Sequence, residues 1–438
     1  MTPDSATIFA PATGFGRSAI TVIRISGPDC AAILDDLCGL RPPPRRLSLR
    51  ALRDPAGEIL DRAMVCWMPG PGTFTGEDMA ELYLHGGLAV RAGVLASLSA
   101  RPGCRPAEAG AFSRRAFLNG RIDLTEAEAT ADLIEAETEA QRRQALRQLE
   151  GALGRQVAEW RTRLIDLLAA TEAALDFSDE GDVDEAGIDA TLFDKSADLR
   201  DAIAEALSDG RRGERLRDGF TVVLAGAPNA GKSTLLNLLA RRDVAIVSPI
   251  PGTTRDAIEV RCDLDGLPVV LIDTAGLRDS VDPIEVEGIR RTRGRMDGAD
   301  LVLHLKDRTS ASGGETISGA LEVWSKSDLA DAECVAHGVI AISAVTGEGI
   351  GHLFDVIREK AAQALGAGDA LITRERHREA LTRCYGHLDR LIASGPDALP
   401  ELVAEDLRLA VRALGEVAGQ VGIEEMLDRL FAGFCIGK

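Results

Sequence analysis

Apolar and polar positions change rhythm several times along the chain, and each change predicts a new kind of element. From Ala6 to Ile25 apolar runs alternate with Gly and Pro, and the segment 18–27 (SAITVIRISG) predicts a strand ending at Gly27. Short strands and turns continue through 69–78 (PGPGTFTGED) to 81–87 (ELYLHGG), so this first region reads as mixed α/β. After Asn119 and Gly120 the texture turns helical. Asp123, Thr125 and Glu128 supply capping chemistry. Leu146, Leu149, Leu153, Val157, Trp160, Leu164, Leu168, Thr171 and Leu175 then recur at three-to-four spacing, one face of a helix. An acidic stretch, 177–187, interrupts this pattern, and helix resumes from 192 to about Arg217.

A short apolar strand at 220–224 leads into a Gly-rich loop, and strand-like and helical segments alternate until about 366. That alternation predicts a doubly wound parallel sheet. The stretch between Asp307 and Trp324 is short for a full helix and strand, so this part of the sheet is expected to be abbreviated. Beyond Thr373 amphipathic helices run on to the terminal FAGFCIGK. The simplest architecture inserts a nucleotide-binding fold into a helical domain built from two separated segments.

Composition adds bounds. A chain of 438 residues is too long for one core and predicts about three domains. The first residues lack a basic region followed by an apolar run, and no run of about 18 apolar residues occurs, so a cytoplasmic protein without a membrane anchor is expected. Eight cysteines at 30, 38, 66, 104, 262, 334, 384 and 435 show no metal-ligand spacing and read as reduced thiols. The net charge of −19 argues against wrapping a long nucleic acid. Residues 1–120, however, hold 13 Arg against 11 Asp plus Glu, so a polyanion would favour this part or one helix face.

The chemistry lies between residues 226 and 276. Gly226 to Ser233 fits GxxxxGK[ST] with a strand before it and a helix after it. Backbone N–H groups of Asn229, Ala230, Gly231, Lys232, Ser233 and Thr234 would surround phosphate oxygens, with Lys232 on the β and γ phosphates and Ser233 on Mg²⁺. Thr253 and Thr254 are spaced to close over the γ-phosphate and its metal. Asp273, Thr274, Ala275 and Gly276 follow an apolar strand as the second half of that sensor, Asp273 reaching Mg²⁺ through water and Gly276 offering its amide. Ser325, Lys326 and Asp328 occupy an NKxD-like segment, so guanine is expected to pair with Asp328. Ser325 in the Asn position alters one contact between the base loop and the phosphate loop. Ser343 and Ala344 match the backbone contact that follows. Leu277 stands where many GTPases carry a water-orienting Gln. Glu285, beside Arg278 and Glu287, reads either as the substitute carboxylate or as an exposed acid at a helix start.

These motifs, PNAGKS, GTTRD and DTAGL, come with FTGEDMAEL, FSRRAFLNGRIDLTEAEATADLI and a terminal FCIGK. Together they make the whole chain resemble the MnmE (TrmE) family of tRNA-modifying GTPases. The resemblance implies a tetrahydrofolate-binding and dimerisation domain at 1–120, helical segments at 121–217 and 369–438, and a Ras-like G domain at 218–368. It implies K⁺ held by Asn229 and by a loop Ser248, Pro249, Ile250, Pro251, Gly252 and Thr253, with ligands at Ser248, Ile250 and Thr253. Catalysis would fall to Glu285, Thr254 and Gly276, and Mg²⁺ to Ser233, Thr254 and Asp273. A folate derivative would meet Arg24, Glu81, Arg121 and Lys438.

Cys435 reads as a small apolar residue at a helical end, the alternative being a nucleophile in carbon transfer. The family's function would be GTP-driven addition of an aminomethyl or carboxymethylaminomethyl group at C5 of the wobble uridine of certain tRNAs. It would act as a homodimer with an FAD-dependent partner resembling MnmG (GidA), in a heterotetramer and away from membranes. The alternatives are a ribosome-assembly or regulatory GTPase that binds RNA without modifying it, and a stand-alone folate-dependent transferase.

Overall fold

The computed structural model describes residues 6–177, 190–240, 245–246, 259–273, 298–309, 317–329, 339–366, 370–421, 427, 430–434 and 437. The chain forms two compact units, 1–131 with 415–438, and 132–414.

In the first unit the strands are β1 (Thr7–Pro11), β2 (Ile20–Ser26), β3 (Ser48–Arg53), β4 (Ile59–Met68), β5 (Met79–His85) and β6 (Cys104–Pro106). They make one sheet in the order β3-β4-β5-β2-β1-β6. Alternation sorts the two faces. Phe9, Ile23, Ile25, Leu52, Val65, Leu82 and Leu84 pack under helices α1 (Cys30–Cys38) and α2 (Leu88–Ser99). The opposite face carries Ile8 and Ala10, covered by Phe112 of α3 (Ala111–Leu118) and by Phe74. Gly27 follows β2 at φ +140, and a Cβ there would lie 2.6 Å from the Thr7 backbone.

Helix α4 (Leu124–Glu135) starts on a reciprocal cap. The Asp123 carboxylate accepts from the Glu126 N–H at 2.8 Å, and the Glu126 carboxylate accepts from the Asp123 N–H at 2.9 Å. The capping partner is thus Glu126, and the expected Glu128 is instead buried. Phe431 and Phe434 pack with Leu124, Ala127 and Leu427, so the residues after Gly415 join this unit instead of the helices that precede them.

The second unit begins with α5 (Glu139–Leu149) and α6 (Ala152–Phe177), separated at Gly151, φ +79. The single helical face expected from Leu146 to Leu175 is therefore broken. In α5 the buried residues are Gln141, Ala145 and Gln148, while Leu146 and Leu149 are half-buried. The glutamines turn inward because their carboxamides have backbone acceptors there. They donate to Arg217 O at 2.9 Å and Leu371 O at 2.7 Å, and Gln144 donates to Gly213 O at 3.2 Å. Those carbonyls belong to α8 (Gly210–Asp218), which follows α7 (Ala190–Ser208), and to the returning segment near residue 371. They are the two places where the chain enters and leaves the nucleotide fold.

That fold has strands β7 (Phe220–Gly226), β8 (Ala245–Ile246), β9 (Glu259–Leu264), β10 (Leu267–Asp273), β11 (Leu301–Asp307), β12 (Leu321–Ser325) and β13 (Ile340–Ala341). The order is β13-β12-β11-β7-β10-β9-β8. Five strands from β13 to β10 are parallel, as the alternation predicts. The edge differs, because β9 is antiparallel to β10, joined by a tight turn at Asp265 (φ +54) and Gly266 (φ +86). β8 in turn is antiparallel to β9. Helices α9 (Lys232–Ala240) and α10 (Ile350–Leu365) bury Leu235, Leu236, Leu239, Ile350, Leu353 and Ile357 against Val222, Leu224, Val269 and Leu303. Between β11 and β12 residues 310–316 lie outside the described residues, and with them the expected abbreviation.

Helices α11 (Glu375–Ser394) and α12 (Pro400–Ala418) complete the unit. Arg200 of α7 bonds Asp389 of α11, and Arg408 of α12 bonds Glu172 of α6. No helix among the described residues is long and apolar enough to cross a membrane.

Gly213 is the tightest point of this junction, since a Cβ there would lie 2.0 Å from Ile372 O, a backbone atom that cannot step aside. Gly213→Ala should cost about 1–3 kcal/mol. Gly351→Ala, in α10 with nothing within 4 Å of its Cβ, should be neutral or slightly stabilising. Thermal melts of the two variants beside the parent check this pair, and equal midpoints for both would contradict it.

Candidate functional site

Strand β7 lies between β10 and β11, and successive parallel strands are laid down on opposite sides of it. Its carboxyl end is therefore a topological switch point, where open α/β sheets leave a crevice. The residues at that edge are Gly226, Asp273, Asp307 and Ser325, which close β7, β10, β11 and β12.

Gly226 leaves the sheet at φ +139, and a Cβ on it would lie 2.3 Å from Leu305 O of β11. Only glycine fits that approach. The loop turns through Asn229 at φ +65 and Gly231 at φ +88, then enters α9 at Lys232. Asn tolerates the left-handed region better than most residues, which accounts for part of its use here. The result is a loop whose next N–H groups belong to a helix N-terminus, a natural seat for an anion. Lys232 is buried and donates from Nζ to Gly226 O and Ala227 O, both at 2.9 Å, so its ammonium lies along the loop.

Asp273 is fully buried, and its Oδ2 accepts from Ser233 Oγ at 2.6 Å. A hydroxyl and a carboxylate brought together are hard oxygen donors of the kind Mg²⁺ takes. No group of three or more His, Cys, Asp or Glu suited to a metal occurs among the described residues.

On the base side, Ser325 keeps the contact that its replacement of Asn was expected to alter. Its hydroxyl donates to Ala230 O at 2.7 Å, tying the base loop to the phosphate loop. Lys326, at φ +58, donates from Nζ to Asp307 Oδ2 at 2.6 Å. That hydrogen bond, with those from Thr309, holds the Asp307 carboxyl down at about 2. Asp307 was not foreseen, although its place at the end of β11, two strands from the end of β10 at Asp273, was a usable signal. Asp328 is exposed on a single turn, Ser327–Leu329. Ser343 is buried, and its hydroxyl accepts from the N–H groups of Val345 and Thr346 at 3.2 and 3.1 Å, shaping the loop that contains Ala344.

Ser248 to Thr254, Thr274 to Arg278, Glu285, Glu287, Cys435 and Lys438 lie outside the described residues.

In the first unit, the register sets Arg24 of β2 opposite Glu81 of β5 and Cys66 of β4 on the other side of Glu81. Arg24 donates Nε and Nη2 to Glu81 Oε1 at 3.1 and 3.0 Å, and its guanidinium lies 6.0 and 5.8 Å from the rings of Phe74 and Phe112. Tyr83, two residues on and on the same face, donates to Glu81 Oε2 at 2.7 Å. This bond to a carboxylate pushes the phenol up to about 12. Tyr83 was missed, and strand alternation from Glu81 would have found it. Arg24 Nη1 also reaches Gly437 O at 3.5 Å, which brings the C-terminal segment to this cluster.

Arg121 is held beside the loop at Thr73, its Nε donating to Thr73 O at 3.2 Å. Asn119 donates to Thr75 O at 2.6 Å, and buried Arg115 pairs with Glu77 at 2.9 Å. The FSRRAFLNGR segment thus holds the loop that presents Phe74.

A family model described as GTP-binding protein TrmE N-terminus matches residues 7–121, and the MnmE helical domain model matches 124–435. The tRNA modification GTPase MnmE of Methylorubrum populi is 70% identical over 99% of this chain and 98% of its own length. Proteins of that name from Methylobacterium radiotolerans and Rhodospirillum rubrum are 65% and 50% identical, each over 99% of both chains. This chain belongs to the MnmE family of tRNA modification GTPases. Along this MnmE chain the phosphate-loop cluster falls within the 124–435 match and the Arg24–Glu81 cluster within the 7–121 match.

Ser325→Ala removes a hydrogen bond worth about 0.5–1.5 kcal/mol, so a fluorescent GDP should bind the variant about two- to tenfold more weakly. Unchanged affinity would show that the loop-to-loop contact does not support the site. The Asp307–Lys326 pair contributes stability above the ordinary carboxylate pKa near 4 and loses it as pH falls toward 2. The gap in thermal midpoint between the parent and Asp307→Asn should therefore narrow on acidification from pH 6 to about pH 3.

Proposed function

We propose that this chain hydrolyses GTP at the Gly226–Ser233 loop and uses the cycle to drive modification at C5 of a tRNA wobble uridine. The carbon would come from a tetrahydrofolate derivative, and an FAD-dependent partner resembling MnmG would act with it. The working domains are 1–120 for folate binding and dimerisation, 121–217 and 369–438 as helical segments, and 218–368 as the G domain.

The observation that carries the reading is the convergence of Lys232, Ser233 and Asp273 at the switch point, with Ser233 Oγ 2.6 Å from Asp273 Oδ2. In the proposed reaction, water attacks the γ-phosphorus and the bond to the bridging β–γ oxygen breaks, giving GDP and phosphate. Residues 229 to 234 hold the phosphates, and Lys232 neutralises charge on the β and γ groups. Ser233 and Asp273, with Thr254, would hold Mg²⁺, which supplies charge stabilisation on the phosphate oxygens when bound. Asn229, with Ser248, Ile250 and Thr253, would hold K⁺, which supplies the positive charge that an arginine provides in other GTPases. Glu285 orients the attacking water, a role that Leu277 cannot fill, while Thr254 and the Gly276 amide sense the γ-phosphate. Asp328 accepts from the guanine ring, with Lys326 and the Ser343–Ala344 loop beside it.

The Arg24–Glu81 pair, framed by Phe74 and Phe112, suits a flat heterocycle that offers ring N–H groups to a carboxylate. That supports the folate reading, with Lys438 and Arg121 as further contacts and Cys435 as a small apolar neighbour. Leu49 and Met64, paired across β3 and β4 on the outer sheet face, are exposed, which supports a dimer formed through the first unit.

Hydrolysis should be much faster in KCl than in NaCl, and Glu285→Ala should abolish most of it while GDP still binds. Equal rates in the two salts would rule out the potassium mechanism. Mass spectrometry of tRNA nucleosides from a deletion strain should show wobble uridines lacking the C5 group, restored by the parent gene. Unchanged nucleosides would sink the tRNA reading.

A further inference from the structure

The loop between β1 and β2 presents Phe15 between two glycines, and this ring is 92% exposed. It is the most exposed large apolar side chain among the described residues. A Cβ at Gly14 or Gly16 would meet nothing within 4 Å, so the loop stands clear of its surroundings. The ring is not unattended. The Arg91 guanidinium lies 4.5 Å from its centroid, stacked as a cation on a π face. Nη1 of Arg91 is buried without a hydrogen-bond acceptor, so the guanidinium spends that edge inside the fold and keeps its stacked face against the ring.

The neighbours extend the same chemistry. Ile20, opposite His85 in the β2–β5 register, is exposed, as are Leu88 at the start of α2 and Arg17 in the loop. Asp61, the nearby acid, already accepts from the His85 ring at 2.8 Å and its backbone N–H at 2.9 Å. The patch is therefore an exposed aromatic ring stacked on Arg91, with exposed Arg17 two residues along the same loop, in a chain of net charge −19. An open aromatic face flanked by arginine is how proteins hold an unpaired nucleic-acid base, the ring stacking on the base and the cation meeting the backbone phosphate.

We propose that Phe15 and Arg91 form a stacking platform for an unpaired base of the RNA substrate. The site answers how so acidic a chain holds a polyanion, because stacking adds affinity that net charge does not. It rests on the tRNA reading above, and it is separate from the phosphate-loop and Arg24–Glu81 clusters.

The test uses the full chain and a labelled anticodon stem–loop RNA with uridine at the first anticodon position, followed by fluorescence anisotropy. Phe15→Ala should weaken binding about five- to a hundredfold, with Phe15→Trp close to the parent. Arg91→Gln should weaken it and lower the salt dependence by about one phosphate contact. Phe15 carries no core contact, so melting temperature and GTP hydrolysis should match the parent. Phe15→Ala binding within twofold of the parent overturns the platform, as does a loss that Phe15→Trp fails to restore. A change in dimerisation with RNA affinity intact also overturns it, and marks the patch as a protein interface. Nucleosides from the complemented deletion strain separate the two readings. Restoration by the parent and equally by Phe15→Ala and Arg91→Gln removes the platform alone, whereas failure of the parent removes the tRNA reading itself.

Discussion

The approach of Gly226 to the Leu305 carbonyl is the constraint on which the nucleotide site depends. With 2.3 Å between that oxygen and where a Cβ would stand, β7 and β11 can pair to the last residue and the chain can still turn out at once. Because the turn is immediate, Lys232 begins a helix only six positions after the strand ends, and Ser233 falls within reach of Asp273 on the neighbouring strand. Any larger residue would push the loop off the sheet edge and separate a hydroxyl from a carboxylate that now share a 2.6 Å hydrogen bond. Ser325 adds a second tie, its hydroxyl joining the end of β12 to the phosphate loop at Ala230 O.

The same logic of backbone carbonyls meeting small or amide-bearing residues governs the junction with the helices. The chain enters the fold along α8 and returns near residue 372, and Gly213 lets the two segments touch. Gln141, Gln144 and Gln148 then fasten both segments from one face of α5, and Arg374 bonds Asp132 at 2.5 Å. Three carboxamides spaced three and four apart do what an apolar seam does elsewhere, with direction added, because each hydrogen bond fixes a particular carbonyl.

Much of this was legible in the residues. The strand before Gly226, the helix after Lys232 and the strand ending at Asp273 follow from apolar runs bounded by glycines, and the spacing of the motifs identifies the sheet edge that gathers them. What escaped was set by partners distant in sequence. Periodicity assigned Leu146 and Leu149 to the inner face of one long helix, yet Gly151 breaks it and the buried face of α5 is built on glutamine, since only the folded chain shows which carbonyls await those amides. Thr125 and Glu128 stand at capping-box spacing, whereas the reciprocal geometry joins Asp123 to Glu126. Ser325 looked like a weakened contact when viewed as a missing Asn, but a hydroxyl is long enough where the phosphate-loop carbonyl comes close. Tyr83 lies two residues from Glu81 on one strand face and Asp307 closes the strand beside Ser325, so both were within reach of strand alternation and sheet order, and reading motif by motif passed over them.

The phosphate-loop cluster is built around Lys232, Ser233 and Asp273, and the second cluster around Arg24, Glu81 and Tyr83. The central claim is that the cluster built on Gly226 is a guanine-nucleotide site. The most direct measurement is calorimetric titration of the full chain with GDP and, separately, with ADP in the presence of Mg²⁺. The account predicts saturable binding of GDP at one site per chain and far weaker binding of ADP. Equal binding of the two nucleotides, or no binding of GDP, would contradict it.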